Sequence, residues 1–148
     1  MERELLEERD RLLLLHAETP DDPELNYRCA VIHDRLGMEH QAVSFYVRAI
    51  EGGIEGEDLR GAYLGLGSTY RAIGEYEKAL GTLTAGEEAF PGAEEMTVFK
   101  AMTLYNLGST REAMALLLGS LARTSDHPGI ARYRRAIDFY ADRLDEKW

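Results

Sequence analysis

The chain has 148 residues, is 45% hydrophobic and 30% charged, and carries 27 acidic against 17 basic side chains, for a formal net charge of -10. That length suits one domain with a sizeable core, and the composition is that of a folded globular chain rather than a disordered one. The acidity argues against nucleic acid and anionic membrane as main partners, because both require a basic footprint.

In chain order, residues 2–17 form a helix pattern with Leu5, Leu6, Leu12, Leu13 and Leu15. Pro20 then interrupts, and Asp22 followed by Pro23 makes an N-cap and first-turn pair for the next helix. From here three segments share one outline: Asn26 to Ala49, Tyr63 to Pro91, and Thr97 to Leu121. Each is predicted to be two antiparallel helices. Gly37, Gly74 and Gly108 stand where the first helix must stop, since glycine accepts the left-handed conformation that ends it. Ala42, Ala79 and Ala113 each follow five residues later, small enough for two helix backbones to come close. The glycine intervals are 37 and 34 residues, with the three extra residues expected in the loop 52–58. Asp126 or Ser125 with Pro128 starts a last helix, with an apolar stripe at Ile130, Tyr133, Ile137, Tyr140 and Leu144. The expected total is about eight helices, with no sustained strand alternation.

The second segment carries a family signature. Tyr63, Leu66, Gly67 and Tyr70, then Ala79 and Leu83, then Pro91, resemble the tetratricopeptide repeat pattern of about 34 residues. Tyr63 replaces the usual Trp, and Leu83 the usual aromatic. The first segment places Cys29-Ala30 and His33 in the matching slots and keeps Tyr46. The third places Lys100-Ala101 and Leu104 there. The chain is similar to small stand-alone bacterial proteins of this family. The resemblance implies an all-α, right-handed superhelix, an α-solenoid of three helix-turn-helix repeats with N- and C-terminal capping helices. The expected division is a capping helix or half repeat at 1–20, repeats at 22–54, 58–91 and 93–125, and a capping helix at 126–148.

Isolated chemistry finds little support. Cys29 alone excludes an internal disulfide framework or a multi-cysteine zinc site, and points to a reducing cytoplasm. It is expected to be a buried thiol. His33 and His40 are seven apart, but Gly37 breaks the helix between them, so His33 is expected in an aromatic core slot and no metal is expected. Leu64-Gly65-Leu66-Gly67-Ser68 lacks the strand and the Gly-Lys-Ser/Thr of a phosphate loop. The acidic clusters lack calcium-loop spacing and fall near helix starts, where they complement the helix dipole. Arg132, Arg134 and Arg135 form too short a basic patch for nucleic acid. Neither a catalytic set nor a cofactor motif is found. No apolar run reaches the roughly 20 residues of a membrane span. Glu2, Glu4, Glu7 and Glu8 stand where a signal peptide would be basic.

The resemblance instead implies a groove lined by the first helix of each repeat. Its positions are Tyr27, Val31, Asp34 and Arg35; Gly61, Leu64, Ser68 and Arg71; and Val98, Met102, Tyr105 and Asn106. Tyr27 and Val31 occupy two positions where chaperone-binding relatives carry a Lys/Asn clamp, which argues against that ligand. Gly61, Gly65 and Ser68 leave the middle shallow, either for another helix or peptide or for the protein's own terminal helix. The expected function is a non-enzymatic, cytoplasmic interaction module that binds a protein or peptide and forms a homodimer through the Ile130-to-Leu144 stripe. That stripe could equally cap the chain itself. The alternative is a small-molecule or signalling-peptide sensor with a closed pocket at Arg71 and Tyr105. Charge is graded along the chain: residues 1–59 hold 15 acids and 6 bases, residues 60–99 hold 6 and 3, and residues 100–148 hold 6 and 8. Opposite ends of opposite sign would orient a partner or a second copy.

Overall fold

A computed structural model describes residues 1–148, and it is all-helical. The helices are α1 (Glu2–Glu18), α2 (Pro23–Arg35), α3 (Glu39–Glu51), α4 (Gly56–Ala72), α5 (Tyr76–Ala89), α6 (Glu94–Asn106), α7 (Thr110–Thr124), α8 (Pro128–Arg132) and α9 (Arg134–Tyr140). From α1 to α7, each helix packs on the one before it. In addition α4 reaches back to α2, and α6 to α4. This is the nearest-neighbour stacking of a helical solenoid.

Local chemistry sets the helix ends. The Asp22 carboxylate accepts from the Leu25 N–H at 2.9 Å, and Pro23 opens α2. Gly37, Gly74 and Gly108 have φ of 69°, 83° and 82°. Each closes its helix alike: the next residue's N–H (Met38, Glu75, Ser109) bonds the carbonyl five residues back (His33, Tyr70, Leu104) at 2.8–2.9 Å. This closure satisfies carbonyls the helix leaves orphaned and turns the chain into its antiparallel partner. Ala42 and Ala79 are completely buried, and Ala113 nearly so.

Two expectations change. Gly56, Glu57 and Asp58 do not lengthen a loop; they form the first turn of α4, which has 17 residues against 13 in α2 and α6. Two acids at a helix start favour that extra turn. Nor is there one terminal helix. Tyr133 leaves helical geometry (φ -105°, ψ 13°), and Arg134 reaches back to the carbonyls of Ala122 and Ser125 at the end of α7. This anchorage splits the stretch into α8 and α9, so nine helices form. Ile130, Tyr133, Ile137, Tyr140 and Leu144 therefore share no continuous face, and Leu144 lies beyond α9. α9 packs on α7, and the tail folds Trp148 against Phe139 and Tyr140 at 6.0 and 5.5 Å between ring centres.

The shallow stretch of α4 is filled from within, by tyrosines and not by a terminal helix. A Cβ on Gly61 would lie 2.2 Å from the Tyr27 hydroxyl, and one on Gly65 would lie 2.4 Å from the Tyr46 ring. Tyr46 is buried, whereas Tyr27 is half-buried. Gly67 makes the same close approach to Leu83, at 2.5 Å. Gly81 on α5 faces open space. Gly65→Ala gains up to about 1 kcal/mol of helix propensity but overpacks a buried ring, at about 1–3 kcal/mol. The expected net loss is roughly 1 kcal/mol, read as a lower urea midpoint. Gly81→Ala should instead raise stability by about 0.5–1 kcal/mol. Equal shifts of one sign at both positions would show that Tyr46 does not fill the notch.

Candidate functional site

The sequence-derived groove residues divide into two groups. Those of the N-terminal half are largely engaged in the protein's own packing. Tyr27 lies across Gly61, Val31 packs on the core around Ala30 and Tyr46, and Leu64 packs beside Leu83 and Met96. Asp34 ties three helices: its carboxylate accepts from the Tyr46 hydroxyl at 3.0 Å and lies 3.0 Å from the Thr69 hydroxyl. Thr69 also lies 2.7 Å from the Gly65 carbonyl, so its one proton is shared between two acceptors. Burial, reinforced by the Asp34 charge, pushes the Tyr46 phenol pKa well up and keeps it a donor. Ser68 donates to the Gly65 carbonyl at 3.0 Å. Arg35 is exposed at the end of α2, and Val98 is half-buried on α6.

The C-terminal members converge. Arg71, Met102, Tyr105 and Asn106 line one cavity of about 380 Å³. Its far wall comes from α7, through Thr110, Ala113, Met114 and Leu117. Six of its nine lining residues are hydrophobic, so the cavity is an apolar trough with a cation at its edge. Tyr105 is 67% exposed, so the trough opens to solvent. The Arg71 Nε is buried without a hydrogen-bond partner, and its Nη2 meets only the Met102 sulfur, at 3.7 Å. A larger cleft of about 430 Å³ lies under the tail between Gly108 and Asp142, but Ala115 is its only apolar wall.

The α7 wall was not among the sequence-derived site residues. A signal for it was present: one repeat of 34 residues maps Met114 and Leu117 onto Leu80 and Leu83. The same slots are covered by the following helix in the second repeat, where Leu83 is fully buried.

Other candidate groups are structural. His33 is buried, donates from Nδ1 to the Cys29 carbonyl at 2.7 Å and stacks on Phe45 at 4.9 Å. His16 meets Phe45 edge-on at 5.2 Å between ring centres and bonds the Asn26 amide oxygen at 3.1 Å. Cys29 is fully buried, and burial pushes its thiol pKa up, the opposite of a reactive cysteine. No helix is long and apolar enough to cross a membrane.

α6, which supplies four of the nine residues that line the trough, is clasped at its first turn from two sides. Arg123 of α7 forks onto Glu94, and Arg60 of α4 forks onto Glu95. The hydrogen bonds from these guanidinium groups hold both carboxyls below the ordinary 4.5. A carboxyl depressed in the folded chain stabilises the fold above its unfolded pKa and loses that contribution as pH falls through the folded one. The melting temperature should therefore decline below pH 4.5, and less steeply in the Arg60→Ala/Arg123→Ala double variant. An identical decline in both proteins would exclude these pairs as the cause. Asp34→Ala strands the buried Tyr46 hydroxyl and should cost about 1–3 kcal/mol in urea unfolding. A cost no larger than that of an exposed surface substitution would remove Asp34 from the joint.

A family model described as Tetratrico peptide repeat matches residues 23–144, which span α2 to the end of α9. No curated protein matches the chain. Repeats of this kind generally mediate protein–protein interactions, and proteins built from them are typically non-enzymatic scaffolds. Three glycine-closed helix pairs stacked in series, together with a family match over most of their length, place the chain in the tetratricopeptide repeat family.

Proposed function

We propose that the chain is a non-enzymatic interaction module that binds a protein or peptide segment at the C-terminal part of its groove, around Arg71, Met102, Tyr105 and Asn106. One observation carries this reading. Of the twelve large hydrophobic side chains left exposed, nine lie between Tyr105 and Trp148. Exposed apolar side chains concentrated at one end of a molecule mark an interaction surface, whereas scattered ones do not. Arg71 lies at the edge of this surface without an ion pair, and an arginine so placed can grip a carboxylate through two hydrogen bonds.

The sensor reading calls for an enclosed pocket at Arg71 and Tyr105. The openness of the trough favours a macromolecular segment over a small molecule. Catalysis finds no support in the buried thiol or in the packed histidines. The chain's acidity disfavours nucleic acid and anionic membrane, and a reduced Cys29 suits a cytoplasmic protein. Self-association belongs to the same end of the molecule, through Phe139, Tyr140, Leu144 and Trp148 rather than a heptad stripe.

Peptides selected from a displayed random library against the wild type should be lost by Arg71→Glu and by Tyr105→Ala. Retention of every selected peptide by both variants would move the site elsewhere. Light scattering at micromolar concentration should report a dimer that Tyr140→Asp/Leu144→Asp dissociates. A chain that stays monomeric at high concentration has no such interface.

A further inference from the structure

Within each repeat, the flank of the second helix is finished by the first helix of the next repeat. Tyr46, Leu83 and Leu117 hold the same slot in successive repeats, at intervals of 37 and 34 residues. Tyr46 and Leu83 are 3% and 0% exposed, covered in part by α4 and α6. Leu117 is 37% exposed. Beside it, Met114 and Leu121 are 45% and 39% exposed. Leu121 matches Glu87, which in the second repeat bonds Thr97 and Lys100 of α6. All three α7 residues thus face a place where a helix belongs.

The chain's own last helices do not fill that place. α4 packs on both α2 and α3, and α6 on both α4 and α5, but α9 packs on α7 without comparable contact to α6. The groove side shows the same gap. Asp34, Arg71 and Tyr105 hold one slot; Asp34 meets Thr69 of the next repeat, Arg71 meets Met102 of the next, and Tyr105 projects 67% exposed.

We infer that this open flank of the third repeat receives an amphipathic α-helix of a partner protein, seated as a further repeat's first helix would be, with a carboxylate directed at Arg71. The inference rests on the proposed interaction surface and specifies the conformation and charge of its occupant. The flank is shaped for a helix because helices fill its two equivalents. Its charge preference comes from Arg71, which none of the ten ion pairs engages and whose Nε is buried without a partner. A second copy fits less well. Its α8 and α9 present Arg132 and Arg135 to a site that already holds a cation. Its α1 is acidic, but Leu5 and Leu12 are committed to packing on α2, and the leucines it leaves exposed, Leu14 and Leu15, are adjacent and form no stripe. An apolar stripe at three- and four-residue spacing would meet Met114, Leu117 and Leu121, with the carboxylate on the groove side.

The chain's five methionines make the test local. Met102 and Met114 line the flank; Met96 is in the core, Met38 lies against Arg9, and Met1 is terminal. Methyl-labelled protein is titrated with a designed leucine-striped helical peptide, cross-linked to hold its helix and carrying one Glu beside the stripe. A second peptide replaces that Glu with Lys. A third keeps the composition but contains two prolines and cannot form a helix. The Glu helix should shift the Met102 and Met114 methyls and leave Met38 and Met96 in place. It should bind about tenfold more tightly than the Lys helix, an order reversed in Arg71→Glu. Tyr105→Ala, which alters an exposed side chain, should weaken the Glu helix without affecting the fold. If the proline peptide binds as well as the helix, the surface stands but takes extended segments, and the inference fails. If no peptide moves either methyl, both the inference and the proposed surface fail. Concentration-dependent shifts of the same methyls without peptide, removed by Leu14→Asp on α1, would assign the flank to a second copy and overturn a foreign occupant.

Discussion

A helix pair in this chain can bury its flank only when the next helix is laid across it. The constraint is geometric: each helix shows one apolar stripe to its antiparallel partner and another to the following repeat. It makes stability a chain of neighbour terms rather than one central core. The core accordingly falls into separate clusters, one around Tyr46 and Ala62, one around Leu12 and Cys29, and two smaller ones around Leu83 and Leu104. Polar joints repeat at the seams between them. Asn26 is fully buried and donates to the carbonyls of Pro20 and Asp22 while accepting from His16. Asp34 does the same work between α2, α3 and α4, and Glu87 between α5 and α6.

What could be read from the sequence was whatever depends on local backbone chemistry. The three glycines with positive φ, the buried alanines five residues on, and the Asp22-Pro23 start are dictated by residues close in sequence. Their effects need no knowledge of the neighbours. The tyrosine inlay lay beyond such reasoning. Gly61 and Gly65 read as a gap because the side chains that fill them come from Tyr27 and Tyr46, 34 and 19 residues earlier. The last helix misled for a related reason. Its spacing of 3 and 4 is a sound helix pattern. The hydrogen bonds from Arg134 to the end of α7 are tertiary, and they override it.

The same distinction explains the candidate site. Positions on first helices follow from repeat register, so Arg71, Met102, Tyr105 and Asn106 could be named and are found together. Asp34 satisfied the same register rule, yet its carboxylate is consumed by Tyr46 and Thr69. Register identifies which residues face the groove. It cannot say which of them the protein has already used. The residues of α7 escaped for the converse reason: in a complete stack they would be interior, but here α8 and α9 leave them on the surface.

The course of the last helices links the fold to the proposed function. α9 is held along α7 by Arg134 at one end, and Arg111 pairs with Asp145 of the tail at the other. The aromatic cluster of Phe139, Tyr140 and Trp148 gathers the tail onto itself instead of spreading it over Met114 and Leu117. Both contacts tie the terminus to α7, and neither reaches the neighbouring slot. A terminal helix seated there would close the solenoid and remove its apolar end from water. Held aside, it leaves Met114, Leu117 and Tyr105 uncovered beside an arginine without a counter-charge. Exposed apolar area of that kind costs free energy in the isolated chain, and a partner that covers it recovers that energy on binding. The rule that builds the stack therefore also defines the surface where the stack is left open.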